Sequence, residues 1–187
     1  MTSQTVTRSN VGMTYGLIAG LAMIVLSLCL YLAGVKIFTN MTLGLIGYLV
    51  IILLAVMAGM KQRNQQGGYL TFAEALKTVF LVFVLAFLLQ TIFNYVLFNY
   101  IDTSFRDAVT QVTMEKTEAM MRRFGAPDSD IEKAMESISS TDSYSIKNLG
   151  IGFAMMCIVF FLVSLIIAAI VKKNRPPFEN PTINQGQ

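Results

Sequence analysis

GGYLTFAEALKTVFLVFVLAFLLQTIFNYVLF, residues Gly67 to Phe98, decides the fold. From Thr78 to Phe98 the run holds no ionisable side chain apart from Tyr95, and its only charged residues, Glu74 and Lys77, stand at the entrance. A helix rising about 1.5 Å per residue needs roughly 20 apolar residues to cross about 30 Å of hydrocarbon. Three further segments reach that length, Met13 to Val35, Met41 to Met60 and Leu149 to Val171, so four transmembrane helices are predicted. The composition agrees: 55% of the 187 residues are hydrophobic and 13% charged, against roughly 25% charged in soluble domains.

The entrance of the third span is itself a helix start. Thr71 followed by Glu74 is the capping-box spacing: the Thr hydroxyl accepts from the N3 amide and the N3 carboxylate reaches back to the cap amide. Glu74 also faces the positive end of the helix dipole. Lys77 is placed to pair with Glu74 while its ammonium reaches the membrane surface. The structural role explains both charges, and a functional site at this face is the competing reading.

Lys and Arg in short flanks resist translocation. Arg8 precedes the first span, Lys61, Arg63 and Lys77 lie between the second and third, and Lys172, Lys173 and Arg175 follow the fourth. These regions are predicted cytoplasmic, with both termini inside. The first span is read as retained rather than as a signal peptide, because its apolar run is too long and LCLYLAGVK offers no A-x-A cleavage site. The net charge of +3 is therefore sorted by membrane side rather than gathered into a patch, which argues against nucleic-acid binding.

The long connection from Ile101 to Lys147 falls on the opposite, extracytoplasmic side. Phe105, Val109, Val112, Ala119, Met120 and Phe124 recur at helical spacing. GAP at Gly125 to Pro127 ends that helix, and SDIE at Ser129 to Glu132 predicts a capped second helix with Ile131, Ala134, Met135 and Ile138 on one side. The chain thus divides into residues 1–100 with three spans, an extracytoplasmic helical segment 101–147, a fourth span 148–173 and a polar, Pro-rich cytoplasmic tail 174–187 predicted to be disordered.

Candidate chemistry is sparse. The chain has no His, so a His-based metal site or a Ser-His-Asp triad is excluded. No metal or other cofactor is expected, and no catalytic residue is assigned. Cys29 and Cys157 lie within apolar runs at similar predicted depths, and burial as small hydrophobes is favoured over a disulfide. Met114, Met120, Met121 and Met135 form a packing or partner surface before they form a metal cluster.

Within the spans the strongest polar feature is Gln90 with Asn94, one turn apart and flanked by Thr91. Hydrogen bonding between helices, worth about 0.6 to 2 kcal/mol, competes with a small polar pocket as its explanation. Small residues at four-residue spacing predict close helix packing: Gly12, Gly16 and Gly20 in the first span, Ala55 and Gly59 in the second, Ser164 and Ala168 in the fourth.

The YLTFAEALK pattern at Tyr69 to Lys77, the four-span plan, the insertion carrying GAPDSDIEKAME and the basic tail resemble the uncharacterised bacterial membrane proteins grouped as domain of unknown function 4199, found mainly in Bacteroidetes-type bacteria. The resemblance spans about Val11 to Arg175. It implies location and architecture but no reaction.

The resulting expectation is an all-α, four-helix-bundle protein of a bacterial inner (cytoplasmic) membrane, non-enzymatic and surrounded by the lipid bilayer. A protein partner or a second copy would meet it through the membrane helices or residues 105–138. The alternative is a small carrier or channel for a neutral or lipidic solute, lined by Gln90 and Asn94.

Overall fold

A computed structural model describes residues 10–174. Arg8, Arg175 and the rest of the polar tail lie outside the described residues. The described chain is helical almost throughout: α1 (Val11–Leu32), α2 (Val35–Phe38), α3 (Met41–Gln65), α4 (Phe72–Val96), a π-helical turn (Leu97–Ile101), α5 (Thr103–Arg123), α6 (Asp128–Ser140) and α7 (Ile146–Val171). α1, α3, α4 with its π turn, and α7 are long and apolar enough to cross a membrane. In each, only 22% to 28% of the most apolar stretch is buried. Such helices are apolar on every side, and the surface they leave uncovered suits hydrocarbon rather than water.

Helix ends follow local chemistry more than the apolar runs. α1 stops at Leu32, short of the expected Val35, because Gly34 takes φ 98° and redirects the chain into the single turn α2. Asn40 caps α3 by accepting from the Thr42 amide at 2.9 Å. α3 then continues past its apolar run to Gln65 and ends in a Schellman motif, in which the Gly68 amide donates to Arg63 and that of Gly67 to Asn64. With φ of 75° and 89°, Gly67 and Gly68 make the left-handed turn that a side chain would oppose. The helix after α5 corrects the expectation: α6 starts at Asp128 with Pro127 as its cap and no side-chain cap bond. Ser129 already lies inside the first turn, so the SDIE box does not form.

α4 is the central helix. α1, α3 and α7 all pack on it, and the backbones of α1 and α7 come nowhere within 8 Å of each other, Cα to Cα. The glycine ridge of α1 makes the closest approach. A Cβ at Gly12 would lie 2.9 Å from the Thr78 carbonyl oxygen, at Gly16 2.9 Å from Leu85 Cβ, and at Gly20 2.5 Å from Leu89 Cδ1. Ala55, Ser164 and Ala168 are fully buried, and Gly59 abuts Val171 across the α3 and α7 contact. Thus these small residues serve packing within one chain. Phe83 stacks on Phe160 at 5.1 Å and closes the core between α4 and α7.

Candidate functional site

The sequence-predicted polar residues fall at three levels of the molecule. At one end, the turn after α3 brings Leu70 beside the end of α7. The Leu70 amide donates to the Lys173 carbonyl at 2.8 Å and the Lys173 amide to the Leu70 carbonyl at 2.9 Å, an antiparallel bridge between segments a hundred residues apart. The next residue is Thr71, and the capping box forms as expected: Thr71 Oγ1 accepts from the Glu74 amide at 3.4 Å, and the Thr71 amide donates to Glu74 Oε2 at 3.3 Å. The Thr71 hydroxyl also donates to that oxygen at 2.8 Å. With its amide oriented to satisfy both ends, Gln66 donates to Glu74 Oε2 at 3.2 Å and accepts from Gln62 at 3.1 Å.

Around this bridge lies an open cavity of about 700 Å³, lined by Gln66, Tyr69, Thr71, Glu74, Lys173 and Asn174 over the floor of Leu70. Lys173 Nζ stands 5.7 Å from the centre of the Tyr69 ring, and Lys172 Nζ 5.9 Å from that of Phe72. Arg63 donates to the last carbonyl of α7, that of Val171, at 3.4 Å. Lys77 departs from the expected pairing: it is exposed and makes no ion pair with Glu74. Glu74 is instead turned toward the cap and Gln66.

The cap makes a prediction here. Thr71→Ala should destabilise the protein by about 0.5 to 2 kcal/mol. Glu74→Gln should cost less, because Gln also serves at N3 of a capping box. Unfolding temperatures in mild detergent measure both.

At the second level, inside the spans, Gln90 and Asn94 join a short polar chain. Gln90 Nε2 donates to Asn94 Oδ1 at 3.1 Å, and Ser27 Oγ of α1 donates to the same oxygen at 3.3 Å. This is the interhelical bond, and Ser27, which sequence reading passed over, is its partner. Thr91 turns away, donating to the Phe87 carbonyl at 2.8 Å. Gln90 Oε1 is buried and has no partner among the described residues.

At the far end, α5 is clamped to the turn between the first two spans. Asp102 caps α5 by accepting from the Phe105 amide at 2.8 Å and accepts the Tyr31 hydroxyl at 3.0 Å. The Phe105 ring packs against Tyr31 at 4.7 Å and Phe38 at 5.4 Å. Further along α5, Lys116 Nζ donates to the Thr39 carbonyl at 2.7 Å and its hydroxyl at 2.9 Å. Burial pushes the Tyr144 phenol above its ordinary range, against the opposing pull of Arg106 and Thr110.

α5 ends at Gly125, φ 75°, where the Ala126 amide donates to the Met121 carbonyl and that of Gly125 to Arg122. Arg122 binds Glu118 at 3.0 Å and Asp128 at 2.9 Å across the α5 and α6 turn, and these carboxylates raise its pKa further. A groove of about 850 Å³ between the two helices holds Met114, Met135 and the buried Ile131. The expected apolar stripe of α5 is covered only in its first half. Val109 is buried, whereas Met120 is 51% exposed and Phe124 82% exposed. Cys29 and Cys157 are both free thiols, and Cys29 is exposed on α1 rather than buried.

No curated protein and no solved structure matches this chain. The model of one family, described as protein of unknown function (DUF4199), matches residues 14–173. Its match takes in the four long helices almost entirely, the capping box and the α5 and α6 insertion. The chain therefore belongs to the DUF4199 family.

Proposed function

We propose that this is a multi-pass protein of a bacterial inner membrane, a four-helix bundle with both termini cytoplasmic, that acts as a structural or interaction protein through an extracytoplasmic α5 and α6 pair. The sidedness rests on charge. At the Glu74 end the described residues include Lys61, Arg63, Lys77, Lys172 and Lys173 against one acid, Glu74, while in α5 and α6 seven acidic residues stand against five basic ones. The role rests on one observation: α6 packs on α5 alone, so the tip of the pair, with Met120 and Phe124, stands uncovered. The non-enzymatic reading is supported by Asn94, whose side-chain oxygen is taken up by the Ser27 hydroxyl of α1 and the Gln90 amide.

Its test is a Met120→Ser, Phe124→Ser double variant, which alters exposed side chains only. Proteins or lipids that copurify with the parent from native membranes in mild detergent should be lost. Identical profiles would contradict the role. The buried Gln90 Oε1 favours a second reading, a carrier or channel for a neutral or lipidic solute passing Gln90 and Asn94. Liposome flux that falls in a Gln90→Leu, Asn94→Leu variant would support it, and absence of flux for a neutral-solute panel would remove it.

A further inference from the structure

We infer that the last two turns of α5 lie on the lipid surface of the membrane that the four spans cross, with Met120 and Phe124 dipped into it and Arg123 at its phosphates. This names the partner of the uncovered tip and rests on the interaction reading above, though not on the side of the membrane assigned there. At about 100° per residue, Phe105, Val109, Val112, Lys116, Met120 and Arg123 fall within about 40° of one line along α5, with Phe124 at its edge. The start of this stripe is held on the bundle. Phe105 packs against Phe38, and Lys116 donates to Thr39, the next residue of the same turn. The two attachments are about 16 Å apart along the helix, so α5 is held against the end of the bundle over that length. That turn, α2, joins the first two spans, so the stripe faces the side on which those spans end. α6 takes the opposite face: Met114, Glu118 and Arg122, about 120° or more from Lys116, line the groove between the two helices.

Thr39 stands at the rim of the bundle, between the exposed side chains of Ile37 and Met41. Among the described residues, α5 brings its backbone near only the π turn, α2 and α6, so its last two turns have no span beneath them. There the stripe consists of Ala119, Met120, Arg123 and Phe124, all exposed. Arg123 makes no ion pair among the described residues, and Glu115 and Glu118 lie about 100° or more off the line. A phospholipid surface, apolar beneath a layer of phosphates, matches this apolar and cationic set and continues the hydrocarbon-facing surface of the spans. A second copy meeting by the same face would set cation against cation, and a basic peptide would meet the same repulsion.

The chain has no Trp, so one introduced Trp reports its surroundings alone. The test places Phe124→Trp, Met120→Trp or Ser137→Trp, the last on the exposed face of α6, in the full chain in nanodiscs of phosphatidylcholine and phosphatidylglycerol. Brominated phosphatidylcholine should quench Phe124→Trp and Met120→Trp about twofold or more, the depth expected of an interfacial helix, and iodide should quench them little. Ser137→Trp should show the reverse. Quenching of Phe124→Trp and Met120→Trp by iodide but not by brominated lipid would overturn the inference, and so would shielding from both quenchers. If copurifying proteins were still lost from the Met120→Ser, Phe124→Ser variant in that case, the interaction reading would stand with a protein as its partner. Unchanged copurification would remove both.

Discussion

Gly16→Ile should destabilise the protein by about 3 kcal/mol or more, the upper end of what overpacking a close contact costs. Even the first added carbon has nowhere to go: it would lie 2.9 Å from Leu85 Cβ and 3.3 Å from the Val82 Cα. Neither of those atoms moves by a rotamer change, so α1 must withdraw from α4 along its length. Gly12→Ala meets the Thr78 backbone in the same way, whereas at Gly20 the nearest atom is the flexible end of Leu89. The expected order of damage is therefore Gly12 and Gly16 ahead of Gly20 for substitution by Ala. Gly44 is the control, since a Cβ there meets nothing within 4 Å. Gly44→Ala should be neutral or gain up to about 1 kcal/mol from helix propensity. Unfolding by SDS from mild detergent reads all four, and a Gly16→Ile protein as stable as the parent would refute the α1 and α4 packing.

Asp102→Ala should release α5 while leaving the four long helices in place. Both oxygens of this carboxylate are committed, Oδ1 to the Phe105 amide and Oδ2 to the Tyr31 hydroxyl. Losing an N-cap costs about 0.5 to 2 kcal/mol and losing a hydrogen bond to a charged group about 1.5 to 3, values that overlap here because the group is half-exposed. Amide exchange across Thr103–Arg123 should accelerate by about 30-fold or more, while α4 up to Phe93 stays protected. Asp102→Asn keeps a good cap and should fall between the two. Unchanged exchange would mean that the Phe105 and Lys116 contacts suffice to seat α5.

How much of this was legible in the sequence depends on the range of the interaction. The spans and the Thr71 to Glu74 cap were readable because hydrophobic length and capping are local. The glycine ridge announced a close approach but not its partner, since nothing in GxxxGxxxG distinguishes α4 of the same chain from a second copy. Leu70 with Lys173, Tyr31 with Asp102 and Ser27 with Asn94 pair residues 67 to 103 positions apart, and no local pattern marks them. The π turn at Leu97–Ile101 carries no propensity signal either. Two local readings also failed. SDIE matched a capping box, but Pro127 set the start of α6 two residues earlier than a cap at Ser129 would. Lys77 had the right spacing from Glu74, but the carboxylate was already turned to Thr71 and Gln66. Periodicity likewise identified the apolar stripe of α5 without saying that α2 covers only its first half.

The central claim is that the Glu74 end and the α5 and α6 pair lie on opposite sides of the inner membrane. Single-cysteine labelling tests it directly. In a Cys29→Ser, Cys157→Ser background, Ser137→Cys places a thiol on the exposed face of α6 and Gln65→Cys places one at the exposed end of α3. In intact spheroplasts a membrane-impermeant maleimide should label Ser137→Cys at once and Gln65→Cys only after permeabilisation. Labelling of Gln65→Cys from outside, with Ser137→Cys protected, would contradict the orientation on which the account stands.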